Sequence, residues 1–178
     1  MLESCGYEDT NIRAIAKESG VATGTVLMHF IDKRDLLFTA LHEDFESVWE
    51  EALARAEEGS LDTRLTRVAG RLFNYYQEQP LLSRVVLKES MFADEPWRTR
   101  FNAQEAALNE LVEKLVEDAI KRGELRKDVS SDLFAVSYLS FYYCCLVRWV
   151  QAELPEPGPM FGLLVRQLIQ SSSVPKKG

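Results

Sequence analysis

The stretch Thr10–Phe30, TNIRAIAKESGVATGTVLMHF, decides how the first part of the chain folds. It reads as two short helices joined by a tight turn. Thr10 is placed to accept a backbone N–H as an N-cap, and Ile12, Ile15, Ala16 and Ser19 recur at helical spacing to give one small inward face. Gly20 stops this helix, because glycine leaves a helix through a left-handed conformation without a Cβ clash, and Val21 supplies an apolar plug between the helices. The spacing predicts a second helix from about Ala22 to Phe30. Val26 and Phe30 face inward there, while Thr23, Thr25, Met28 and His29 are left outside. This is a helix-turn-helix, whose second helix can enter the DNA major groove.

Working outward, the motif widens. Gly6, Tyr7 and Thr10 form GY-x-x-T, Ile15 and Ala16 follow, and Gly20, Val21, Gly24 and Thr25 form GV-x-x-GT. His29, Phe30, Lys33 and Leu36 complete HF-x-x-K-x-x-L. In order and spacing this segment resembles the DNA-binding segment of the tetracycline-repressor (TetR) family. The resemblance implies an all-helical, dimeric fold with a small N-terminal helix-turn-helix unit and a larger C-terminal domain for effector binding and dimerisation. Leu27 stands where the family usually has tyrosine and Ala22 where serine is common; neither supplies the phosphate donor or the helix cap of its counterpart. The family begins with a further helix, of which only the tail, around Met1 to Gly6, is expected here, so the first helix is read as largely missing by truncation.

Composition bounds the alternatives. The chain has 178 residues, 46% hydrophobic, enough for a substantial core, and a formal charge of −7 that argues against indiscriminate nucleic-acid binding. A local cationic site remains open, since between Thr10 and Arg34 the cations Arg13, Lys17, Lys33 and Arg34 outnumber Glu18 and Asp32 by two. Cys5, Cys144 and Cys145 do not make a disulfide framework, and the adjacent pair reads as small buried hydrophobes. There is no metal-ligand spacing, cofactor motif, nucleophile motif or phosphate loop, so neither a metal nor an enzyme is expected. The opening residues do not read as a signal peptide, and a reduced, cytoplasmic setting follows as the expectation.

Beyond the turn unit, Leu37, Leu41, Phe45, Val48 and Ala52 carry a long connector helix to about Ala56, a lever between two halves. Helices are expected over Leu61–Gln79, ended by Pro80, over Leu81–Phe92, and from Trp97 to Arg122, closed by Gly123. Asp94, Glu95 and Pro96 are expected to open the third of these. Ser130 or Ser131 caps the most apolar segment. Leu133–Val147 is shorter than the roughly 20 residues a membrane span needs and carries hydroxyls, so it reads as a helix buried on several sides. A rigid loop over Leu154–Pro159 and a last helix over Met160–Ile169 follow, with Ser171 onward as a frayed tail. The domains expected are 1–35, 36–172 and a tail at 173–178.

The resemblance implies a homodimer through the last two helices and recognition of a palindromic double-stranded DNA operator. By the same resemblance Arg13, Thr25 and Lys33 are candidates for the phosphate backbone, Thr23, Met28 and His29 for the groove, and Gly24 for close approach, with Thr10 counted among the DNA-binding residues. His29 has an equal reading as a packing partner of Phe30. For an effector, Phe73, Tyr76, Met91, Phe92, Trp97, Phe101, Tyr138, Phe141, Tyr142, Cys145 and Trp149 suit a hydrophobic small molecule, although any single one of them is more often core than pocket. The expected function is a ligand-responsive regulator, most simply a repressor released by that molecule. The alternative is a dimeric ligand-binding or adaptor relative that no longer reads DNA.

Overall fold

The computed structural model describes residues 10–54 and 58–174. The expected tail of a first helix at Met1–Gly6, the Gly6–Tyr7 pair, Cys5, the connector's end at Ala56 and residues 175–178 lie outside those ranges. Helices α1 (Ile12–Glu18) and α2 (Thr23–His29) form the turn unit. The connector is α3 (Lys33–Ala54). Then come α4 (Leu61–Glu78), α5 (Pro80–Ser90), α6 (Trp97–Lys121), α7 (Ser131–Val150) and α8 (Pro157–Ser172). No strand forms among the described residues, and the all-helical expectation holds.

The cap of α1 corrects the reading of Thr10. Asn11, not Thr10, is the N-cap: its Oδ1 accepts the Ala14 N–H at 2.9 Å, and Thr10 is only 3% exposed. At the other end Gly20 takes φ +70°, and the Val21 N–H reaches the Ala16 carbonyl at 3.0 Å while Gly20 reaches Lys17 at 3.3 Å. That pair of bonds satisfies carbonyls the helix itself leaves open, and the positive φ explains why the residue is glycine. Val21 is not the expected plug; it is 44% exposed, and Ser19 also faces solvent. Ala16 and Val26 are the buried residues of the two helices.

The larger half is a bundle in which α7 packs between α6 and α8, with α4 against α3, α6 and α8. Its centre is aromatic. Phe73 stacks on Tyr142 at 4.9 Å between centroids, and Phe161 meets Phe73 and Tyr138 edge-on at 5.4 and 5.1 Å. The Tyr138 hydroxyl, fully buried, donates to the Leu65 carbonyl at 3.0 Å, so the ring carries no unpaired polar tip into the core. By length and composition alone α7 is apolar enough to cross a membrane, but Phe134, Ala135, Tyr138, Leu139, Tyr142, Cys145 and Leu146 are buried in the bundle, as a core helix requires. Ser130 is its cap, accepting from the Leu133 N–H at 3.4 Å.

Three boundaries differ from expectation for local reasons. Asp94, Glu95 and Pro96 precede α6, with Pro96 at its N-cap and no acid in its first turn; Glu95 instead reaches forward to Arg98 and Thr99. The last helix begins at Pro157, because prolines in a first turn forfeit no intrahelical bond. Ser171 and Ser172 are not frayed. Arg126 donates its backbone N–H to the Ser172 carbonyl at 3.0 Å and its Nη1 to the Ser171 carbonyl at 2.6 Å, which pins the end of α8 to the α6–α7 turn.

Candidate DNA-reading surface and effector cavity

α2 presents its outer face almost bare. Met28 is 84% and Leu27 53% exposed, Gly24, Thr25 and His29 lie at the surface, and Ile31 just beyond is 82% exposed. Thr23 is half-buried and, with Asn11, Ile12, Arg13 and Leu27, lines a shallow groove between α1 and α2. Arg13 and Lys17 are exposed, Lys33 is half-buried, and Arg34 reaches Asp94 at 3.6 Å. Of the DNA candidates, then, the surface carries Arg13, Gly24, Thr25, Met28 and His29, with Thr23 and Lys33 partly accessible; buried Thr10 is not part of it. His29 leans towards Phe30 with 6.5 Å between centroids while staying exposed. Ala22 gives α2 no side-chain cap, as its methyl group dictates.

A cavity of about 310 Å³ opens between α3 and the bundle. The connector supplies Phe38, Leu41, His42, Phe45 and Trp49; α4 adds Leu72, Tyr75 and Tyr76; α5 and the residue after it add Val86, Leu87, Ser90 and Met91; α6 gives Phe101, Asn102, Gln104, Glu105 and Leu108; and α7 gives Tyr142 and Tyr143. Its chemistry is graded. The floor is hydrocarbon and phenol, whereas Asn102, Gln104, Glu105 and His42 gather on the α6 side, where Gln104 Nε2 lies 2.7 Å from His42 Nδ1. Burial pushes the Tyr143 hydroxyl up to about 12, with the Glu105 charge adding to it. Burial likewise raises Tyr76 and Tyr142, and their mutual hydrogen bond only partly offsets this for Tyr76. These phenols stay protonated at neutral pH and act as hydrogen-bonding groups, not as charges.

Four of the eleven effector candidates, Tyr76, Met91, Phe101 and Tyr142, line this cavity. The others do not. Phe73, Tyr138 and Cys145 are consumed by the core, and Phe141 and Trp149 pack against it. Burial lifts the Cys145 thiol to about 11, which makes it inert. Phe92 is 82% exposed outside the cavity, and Trp97 sits in a separate cluster with Phe38, Ala93 and Phe101. The connector's share of the wall is not apparent from the sequence, where Leu41, Phe45 and Trp49 read only as a packing stripe and Phe38 and His42 stand out from nothing. An aromatic every three or four residues was the available signal. Among the described residues no group of His, Cys, Asp and Glu is arranged to hold a metal ion.

With this geometry, residues 1–40 match the family model of the bacterial regulatory proteins of the tetR family. That segment carries the pattern of the TetR-family DNA-binding region. It is 27% identical over 169 residues to the HTH-type transcriptional repressor KstR of Mycobacterium tuberculosis, a match covering 92% of this chain and 73% of that protein. A TetR transcription regulator from Haloarcula marismortui superposes with a TM-score of 0.78 at 23% identity, over 96% of this chain and 91% of that one. The regulator FadR of Bacillus subtilis, solved in complex with stearoyl-CoA, gives 0.77 at 19% identity, over 94% and 91%. The two superpositions establish the fold. The DNA-binding segment and the similarity to a transcriptional repressor along most of the chain support a ligand-responsive, DNA-binding transcriptional regulator as opposed to an enzyme.

Proposed function

We propose that this chain is a cytoplasmic repressor of the TetR family that binds a palindromic operator as a homodimer and releases it when a largely apolar small molecule, of the long-chain acyl type, fills the α3 cavity. The observation that carries the reading is the composition of the cavity wall. Five of its side chains come from the connector, which starts at Lys33, four residues after α2 ends at His29. Whatever enlarges the cavity acts on the same helix that sets the recognition helix. Apolar walls suit an acyl chain, and the stearoyl-CoA bound by the B. subtilis neighbour supports that class.

Dimerisation is supported by apolar side chains left facing outward on α7 and α8: Leu133 at 65%, Val136 at 55%, Leu163 at 58% and Met160 at 37%. Covering them with a second copy removes apolar area from water and sets two α2 helices in two-fold relation. Arg13, Thr25 and Lys33 then serve the phosphates, and Thr23, Met28 and His29 the groove, with Gly24 allowing close approach.

The test is binding of the purified chain to DNA upstream of its own gene across a salt series, with and without stearoyl-CoA. A competitor-resistant complex that weakens with salt and dissociates at saturating stearoyl-CoA supports the reading. A second reading, a ligand-binding relative that no longer reads DNA, is favoured by uncapped Ala22 and by the exposed Leu27 where a phosphate donor is usual. Stearoyl-CoA binding with no complex above non-specific background would select it.

A further inference from the structure

Asp35, in the first turn of α3, holds two elements at once. Its Oδ2 accepts the backbone N–H of Ile31, two residues past the end of α2, at 2.9 Å, while its Oδ1 accepts the indole Nε1–H of Trp97 at 2.8 Å. Trp97 opens α6 and is 5% exposed, so its N–H needs an acceptor within the protein, and Asp35 provides it. The indole ring lies 5.4 Å from Phe38, 6.0 Å from Phe101 and 6.0 Å from His42 between centroids, and all three of those side chains line the cavity.

We propose that the Trp97–Asp35 hydrogen bond is the clasp through which the cavity's state reaches the recognition helix. This rests on reading the cavity as the effector site. The ring is held by packing on several sides, with the Arg100 guanidinium 4.5 Å from its centroid. A ligand that pushes Phe38, His42 or Phe101 therefore moves the indole, and a hydrogen bond is lost steeply with angle and distance. Once Oδ1 loses its donor, the Asp35 carboxylate is free to rotate, and the Ile31 N–H loses a fixed acceptor. The turn joining α2 to α3 is then released, and with it the angle at which α2 is offered to DNA. A packed interface of this sort has discrete arrangements instead of yielding smoothly, which suits a switch. The Arg34–Asp94 pair at 3.6 Å spans the same junction, but it is solvent-exposed and does not touch the cavity.

Trp97→Phe keeps the ring and removes the N–H, and Asp35→Asn keeps the shape and weakens the acceptor. In the full chain, Trp97→Phe is expected to speed amide exchange at Ile31 at least tenfold while leaving the α4 and α7 amides unchanged. It should bind stearoyl-CoA within twofold of the parent protein. The ratio of operator affinities without and with stearoyl-CoA should fall at least fivefold towards one, with Asp35→Asn moving the same way. Leu41→Phe, which grows a cavity-lining side chain into the space, supplies a ligand-free arm: it should speed Ile31 exchange in the parent and add nothing in the Trp97→Phe background. Unchanged Ile31 exchange in Trp97→Phe, additive effects in the double variant, or full release of Trp97→Phe from DNA by stearoyl-CoA would overturn the clasp. If stearoyl-CoA fails to bind the parent protein, the acyl-effector reading falls, and the Leu41→Phe cycle still decides the clasp.

Discussion

The two halves of the molecule use large apolar side chains in opposite ways. In the turn unit Leu27, Met28 and Ile31 are more than half exposed and the buried residues are small, Ala16 and Val26. In the bundle the large aromatics turn inward, and Phe73, Tyr138, Tyr142 and Phe161 close on one another. The first half is held in shape by caps and turns, and the outer face of α2 is exposed. The second half is held by its own core. A substitution should thus reveal which half it belongs to by whether stability or DNA affinity moves.

The largest effect tests the bundle side. Phe161→Ala removes a ring that meets Phe73, Tyr138 and Tyr142, and should cost about 3–5 kcal/mol by denaturant unfolding, because the surrounding helices refill such a space only partly. A loss below about 1 kcal/mol would mean the aromatic centre is not the core it is taken for.

Alkaline pH offers a second test on the same half. Burial raises the folded-state values of Tyr76, Tyr138, Tyr142 and Tyr143 above the ordinary 10.0, Tyr143 to about 12. Folding therefore favours the protonated phenols. Their contribution is fully present below pH 10 and lost as pH rises from there through the folded values. Spectrophotometric titration should show these phenols ionising above pH 10, later than free tyrosine, with Tyr143 first. Their ionisation near pH 10 in a folded chain would place them on the surface.

On the reading side, Arg13→Ala should leave unfolding within about 0.5 kcal/mol of the parent, since Arg13 is exposed on α1. It should weaken all DNA sequences about equally and lower the salt slope by about 1, the signature of one lost phosphate contact. A selective loss at one base position, measured by operator variants, would move Arg13 from the backbone to the groove.

The sequence showed the turn unit and the helix boundaries well because those depend on local chemistry. Gly20 and Gly123 both take positive φ where the helices stop, and Ser130 caps α7 as its place before an apolar run implies. The cap at Asn11 was missed by one position, since Thr10 and Asn11 are both good caps and only the helix phase separates them. The cavity was legible in part. Periodicity says that a side chain faces inward, not how deep it goes, so Phe73, Tyr138 and Cys145 could not be told from Tyr76 and Tyr142. Asp35 does not stand out in the sequence, because its partner Trp97 lies 62 residues away.

The smallest expected effect is also the one that separates the halves most cleanly. Ala22→Ser restores a side-chain acceptor at the N-cap of α2, whose φ of −67° and ψ of 139° already suit a cap, so no backbone change is needed. The gain should be about 0.5–1 kcal/mol and local, because α2 has only seven residues and is marginal without its neighbours. Amide exchange in α2 should slow several-fold while exchange in α4 and α7 stays as it was. If exchange slows throughout the bundle too, the turn unit and the bundle unfold as one cooperative body, and the contrast between the halves is one of surface alone.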